Sequence, residues 1–130
     1  MQADESQLLQ AASAAAKRAY APYSHVHVGA SLSSEAGHIY SGCNVENASY
    51  GLTICAERVA VFAAVAAEGP EMRIKCMAIM CDKGIVCSPC GACRQVIAEF
   101  GREAQIIYEA GDTVRRTTAA ELLPEAFDLG

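Results

Sequence analysis

The segment from Ile74 to Cys81, reading Ile-Lys-Cys-Met-Ala-Ile-Met-Cys, constrains this chain more than any other. Its apolar residues run without alternation, so a strand formed there has no polar face to turn to water. Such a strand must be covered on both sides, which calls for a sheet flanked by helices. The segment from Ser6 to about Ala19 is Ala-rich, with Leu8, Leu9 and Ala12 on one side, and predicts a helix stopped by Ala21-Pro22-Tyr23. Val26, Val28, Ala30 and Leu32 alternate with His25, His27 and Ser31, the period of a strand. After the turn Glu35-Ala36-Gly37, His38 to Cys43 returns as the second strand of a hairpin. Asn44 to Leu52 reads as a polar loop. Thr53 is the expected N-cap of a helix running to Glu68, and Ser88 with Pro89 is expected to open another that ends at Phe100-Gly101. Gln105 to Tyr108 and Thr113 to Arg116 predict strands, and Thr118 to Leu123 a short helix. The order α-β-β-α-β-α-β-β-α predicts a layered α/β domain with a mixed sheet. No repeat or linker divides the 130 residues, so residues 1–130 are expected to form one domain.

Charge narrows the partners. A formal net charge of −5, with ten Lys and Arg, offers no basic stripe for a nucleic acid, so a small neutral ligand fits better. The longest uninterrupted apolar run, Val59 to Ala67, is well short of the roughly 20 residues that span a bilayer. The start, Met1-Gln2-Ala3-Asp4-Glu5, carries acid where a secretory signal carries base. The expectation is a cytoplasmic protein that binds neither membrane nor nucleic acid. The run Val59 to Ala67 has almost no polar side, which predicts a helix buried all round, under the sheet or at a subunit contact.

Seven cysteines are the main compositional anomaly. The count is odd, and in a reducing cytosol thiols serve as small buried hydrophobes or as metal and catalytic groups. Two expected helix openings carry them: Thr53-Ile54-Cys55-Ala56-Glu57-Arg58, and Ser88-Pro89-Cys90-Gly91-Ala92-Cys93-Arg94-Gln95. Cys90 and Cys93, three apart, share one helix face and can grip one metal, and Cys55 can supply a third thiolate if the two openings face each other. Three protein ligands leave a position for water, as catalytic zinc sites do. Glu57, two residues past Cys55, is placed to exchange a proton with that water. Three thiolates also leave the site net negative, with Arg58, Arg94 and the helix N-termini as the available counterweights.

Cys-Ala-Glu followed by Pro-Cys-Gly-Ala-Cys resembles the zinc deaminase signature in its three-cysteine form. The likeness extends to Ala19-Tyr20-Ala21-Pro22-Tyr23-Ser24, Gly42-Cys43-Asn44-Val45-Glu46-Asn47-Ala48 and Leu122-Leu123-Pro124, and runs from about Ala19 to Phe127. Together these motifs resemble the small homotetrameric cytidine deaminases. The resemblance implies a three-layer fold with a mixed five-stranded sheet between helices, and one zinc per chain on Cys55, Cys90 and Cys93. It implies hydrolysis of free cytidine or deoxycytidine to uridine or deoxyuridine plus ammonia, as in pyrimidine salvage. Activated water would attack C4 of the ring while Glu57 shuttles a proton to the ring nitrogen and then to the leaving amine. Asn44 and Glu46 match positions that bind the ribose hydroxyl, with Ala48, Ser49, Tyr50 and Ala56 completing substrate contacts. Some of that loop reaches a neighbouring subunit's site, and Phe127 matches a C-terminal aromatic that closes over substrate. Arg58, Arg94 and Gln95 fall beside the metal ligands. One position departs: Val26 stands where the family usually has phenylalanine. Valine cannot stack on a base, and stacking is worth roughly 1–3 kcal/mol per base.

Other readings of the same residues stay open at this point. Within the class, a deaminase of a nucleoside antibiotic of the blasticidin S kind shares the ligands and the glutamate. From another class, Cys87, Cys90 and Cys93 with Cys55 can form a closed zinc or iron–sulfur module, although the cluster pattern wants a cysteine where Ile97 stands. Cys90-x-x-Cys93 can also be a redox pair, which leaves Cys55 and Glu57 without a role. Cys43, Cys76, Cys81 and Cys87 read as core packing, and the histidines as surface or satisfied polar groups. Glu57 can be a plain first-turn helix acid, Asn44 and Glu46 turn residues, and Tyr50 and Phe127 packing residues.

Overall fold

A computed structural model describes residues 4–130 of the chain; the expected leaderless start at Met1–Ala3 lies outside the described residues. Helix α1 (Glu5–Ala16) precedes the hairpin β1 (Val28–Ser34) and β2 (Ile39–Cys43). A single 3-10 turn at Tyr50–Leu52 lies in the expected loop and leads to α2 (Ala56–Glu68). Then follow β3 (Ile74–Cys81), α3 (Gly91–Phe100), β4 (Gln105–Ala110), β5 (Thr113–Thr118) and α4 (Ala119–Leu122). The five strands form one sheet in the order β2-β1-β3-β4-β5. β3 is central, antiparallel to β1 and parallel to β4, so the sheet is mixed as the element order predicts.

Period-2 geometry splits β3 between two cores. Met77 and Ile79 join Leu32, Ala60, Val61 and Ile97 beneath α2 and α3, while Ala78 joins Leu8, Ala12 and Ile107 beneath α1. Two glycines set how closely the helices lie. A Cβ on Gly29 would stand 1.9 Å from the Ala12 carbonyl oxygen of α1. One on Gly42 would stand 2.5 Å from the Ala60 nitrogen and 2.7 Å from the Ala56 oxygen, so Gly42 seats the first turns of α2 directly on β2.

Several boundaries move, each for a long-range reason. α1 begins at Glu5 because Asp4 caps it: its carboxylate accepts from the Gln7 N–H at 2.7 Å while Gln7 Oε1 accepts from the Asp4 N–H. It ends at Ala16, before Ala19, and Tyr20 then pairs with Val45. β1 begins at Val28, not Val26, since His25 sits at φ +60 and the chain is still turning. His25 and His27 therefore do not share a strand face, and His27 pairs with Asp82 through Nδ1 at 2.7 Å. Thr53 and Ser88 are not the helix caps. Ile54 is bridged to Val45 and Cys87 donates its N–H to the Glu109 carbonyl at 2.9 Å, which keeps both approaches extended until Cys55 and Cys90. β4 and β5 each run two residues further than expected, and Thr118 caps α4 by accepting from the Glu121 N–H.

Val59–Ala67, expected to be buried under the sheet or at a subunit contact, lies wholly within α2. One side of α2 is buried, but Phe62 is 49% exposed and Ala63, Ala66 and Ala67 face outward in the single chain. Among the described residues no helix is long and apolar enough to cross a membrane.

Candidate active site

Cys55 and Cys90 are the N-caps of α2 and α3, and neither side chain is spent on a capping hydrogen bond. Cys93 sits three residues into the second helix, on the side its N-cap faces, and is fully buried. The three sulfurs lie within 4.8 Å of one another, and Cys55 Sγ is 3.9 Å from Cys90 Sγ. Tetrahedral zinc with Zn–S bonds of about 2.3 Å spaces its sulfurs by about 3.8 Å, so this donor set fits that ion. No fourth Cys, His, Asp or Glu joins the group among the described residues. Cys87 is turned away: its thiol donates to the carbonyls of Glu109 (3.2 Å) and Ile79 (3.6 Å), and burial pushes its pKa up to about 12.

The trio's electrostatics are lopsided. A hydrogen bond from Cys93 and a second from Arg58 Nη2 (3.5 Å) pull the Cys55 thiol down to about 5. The same bond to Cys55, with burial, holds the Cys93 proton well above the usual thiol range. Arg58 is thus the counterion, and Arg94 is not. Arg94 Nε donates to the Pro89 carbonyl at 2.7 Å and its Nη1 to the Leu122 carbonyl at 3.0 Å, fixing the backbone just before Cys90. Glu57, in the first turn of α2, is only 5% exposed. Burial first, and the Cys55 charge in addition, push its carboxyl up to about 7.

Glu57, Cys55, Cys90 and Ala56 open into a cavity of about 310 Å³ that Val26, Val28 and Asn44 also line. A second cavity, of about 390 Å³, is lined by Tyr23, Glu46 and Tyr50, and the two share Ser24 and Thr53. A groove with a reactive end and a polar aromatic end results. Asn44 clamps its rim, accepting from the Val28 N–H (2.8 Å) and donating to the Val26 carbonyl (2.9 Å). Glu46 accepts from the N–H groups of Tyr23 and Ser24 and from the Ser24 hydroxyl, which holds its carboxyl below the usual range.

Other expected contacts lie elsewhere. Ala48 and Ser49 are exposed and line neither cavity. Phe127 does not close over this cavity in the single chain: it is 72% exposed beside α3, where Gln95 Nε2 donates to its carbonyl at 3.2 Å. Conversely, Ile85, Val86 and Ser88 line the reactive cavity. Ser88 belongs to the quoted motif, but Ile85 and Val86 carry no pattern that marks them beforehand.

Two helix N-termini gathering three sulfurs, two of which line a cavity together with one buried carboxyl group, have the layout of a catalytic zinc protein, not of a closed structural site. The cytidine and deoxycytidylate deaminase zinc-binding region matches residues 2–110, and the chain belongs to that family. Among its relatives, a cytidine deaminase of Sporosarcina psychrophila is 46% identical over 127 residues, covering 95% of this chain and 91% of that protein. The crystal structure of cytidine deaminase from Burkholderia pseudomallei matches with a TM-score of 0.88 at 44% identity, covering 96% of this chain and 100% of that one. A blasticidin-S deaminase of Bacillus cereus is 31% identical over 105 residues, covering 75% of this chain and 74% of that protein.

Proposed function

We propose that this chain hydrolyses the exocyclic amine of free cytidine and deoxycytidine, with zinc held by Cys55, Cys90 and Cys93. The observation that carries the reading is the placement of Glu57, only 5% exposed and lining the same cavity as Cys55 and Cys90. Zinc bound there supplies a Lewis acid that makes water a nucleophile near neutral pH. Glu57, a carboxyl group lining the cavity beside Cys55 and Cys90, takes the proton that this water gives up. It delivers that proton to the ring nitrogen, then carries the proton of the hydroxyl formed at C4 to the amine as the C4–N bond breaks, so water and nucleoside become the keto base and ammonia. Arg58 offsets thiolate charge beside Cys55, which keeps the site from repelling the nucleophile's own negative charge. Glu46 and Asn44 keep spare acceptor and donor capacity for sugar hydroxyls, since a carboxylate offers about four lone-pair sites and an amide two N–H groups.

The greater identity to cytidine deaminases favours a plain nucleoside over an antibiotic, and Val26 is the residue that favours a different base shape. A homotetramer whose sites are completed by neighbours is part of the proposal. It is supported by the apolar outer side of α2 at Phe62 and Ala63, and by Ala48, Ser49 and Phe127, which do not reach their own chain's cavity. Residues 1–130 would act as one domain, and seven free thiols fit a reducing cytoplasm. An ultraviolet assay against cytidine, deoxycytidine, cytosine and blasticidin S tests the reading. Turnover of the two nucleosides is expected, and turnover of blasticidin S alone would overturn it.

A further inference from the structure

The loop between β3 and α3 carries two large apolar side chains in the open: Ile85 is 47% exposed and Val86 is 54% exposed. Both line the reactive cavity together with Val26, Val28 and Glu57. Folding alone does not explain them, because neither joins the buried cores of the sheet.

The loop that presents them is tied down at both ends. Cys81 donates its N–H to the Glu109 carboxylate at 3.1 Å, and Cys87 donates its N–H to the Glu109 carbonyl at 2.9 Å. Between these, Val86 bridges Ala110 and the Gly111 N–H donates to the Ile85 carbonyl. Gly84, at φ +63, makes the turn that a side chain would strain. β3 and β4 run parallel, so the loop and its anchor sit together at the carboxyl ends of the strands, where α/β sheets open their ligand crevices. An apolar pair held this way is a preorganised wall, and a wall that needs no ordering binds at little entropic cost.

We infer that Ile85 and Val86 determine specificity: the base of the nucleoside packs against them, and Val26 and Val28 complete an aliphatic enclosure in place of a stacked ring. The inference rests on the nucleoside deamination proposed above. The polar lining performs the chemistry, while the four aliphatic side chains have only an apolar surface to offer. A flat ring with apolar faces is the part of a nucleoside that such a surface takes up. Affinity then comes from area removed from water, in the ground state and the transition state alike, so the pair should act on KM and not on kcat.

The test is the double variant Ile85→Ser/Val86→Ser, read by steady-state kinetics with cytidine and by calorimetric binding of the product uridine. Both side chains are half in solvent, so zinc content and thermal midpoint should stay at the parent's values. KM for cytidine and Kd for uridine should rise together by about tenfold, with kcat within about twofold of the parent. The milder changes Ile85→Val and Val86→Ala should raise both constants less, in the same direction. Unchanged KM and Kd would overturn the assignment, as would a fall in kcat with KM unchanged. A parent protein that binds uridine and turns over cytidine while the variants behave like it removes the inference alone. A parent that does neither removes the function, and the inference with it.

Discussion

Arg58 donates from Nη2 to the Cys55 sulfur across 3.5 Å, one helical turn along the same helix whose N-cap that sulfur occupies. The N-terminus of α2 and the guanidinium therefore act on the same thiolate from two directions. This settles a choice that charge alone leaves open, since Arg94 spends its donors on the carbonyls of Pro89 and Leu122.

Arg58→Gln should weaken zinc retention by about 10- to 100-fold, the usual effect of removing a group that supports a metal ligand. Competition with a chromogenic chelator measures it. Arg94→Gln leaves Cys55 with its counterion and should affect zinc less, so equal losses in the two variants would refute the asymmetry.

Glu57→Gln keeps the shape of the side chain but removes its proton chemistry. kcat should fall by about 10²- to 10⁴-fold, the usual worth of a positioned acid–base group, with zinc and fold retained. Parent-like turnover would take Glu57 out of the mechanism.

The same residue predicts a pH dependence for the protein stripped of metal. Its carboxyl is pushed up to about 7 by burial, above the value near 4.3 expected in an unfolded chain. The native state then holds the extra proton between those values, so this group's contribution to stability is full below about pH 4 and is lost as pH rises through 7. The Cys55 thiol, pulled down to about 5, works in the opposite direction over part of that range. The difference between parent and Glu57→Gln isolates the carboxyl. Denaturant titrations should show the variant gaining on the order of 1–3 kcal/mol over the parent at pH 8 relative to pH 4. A difference that does not change with pH would contradict the buried carboxyl.

Gly42→Ala tests what seats the catalytic helix. A methyl there meets the backbone of Ala56 and Ala60 at 2.7 and 2.5 Å, atoms that cannot rotate away. α2 must shift, carrying Cys55 and Glu57 with it, at a cost of about 1–3 kcal/mol. Calorimetry should show a lower thermal midpoint, and activity should fall further than the loss of folded protein explains. An unchanged midpoint would mean that β2 and α2 yield more easily than their packing indicates.

Several features were readable in the residues themselves, because the physics that sets them is local. β3 was legible in its unbroken apolar run, and the metal trio in the spacing of Cys55, Cys90 and Cys93 near two helix openings. The placement of Glu57 beside these sulfurs was legible from its position two residues past Cys55.

Only the folded chain decided which residues cap the helices. Val45 pairs with Ile54, and Glu109 with Cys87, so the caps pass from Thr53 and Ser88 to the candidate ligands Cys55 and Cys90 themselves. It also chose Arg58 over Arg94, turned Phe127 outward, exposed one side of α2 and brought Ile85 and Val86 into the cavity. Periodicity and first-turn chemistry depend on residues three or four apart. These outcomes depend on backbone and side-chain partners far apart along the chain, where tertiary hydrogen bonds and packing override local preference.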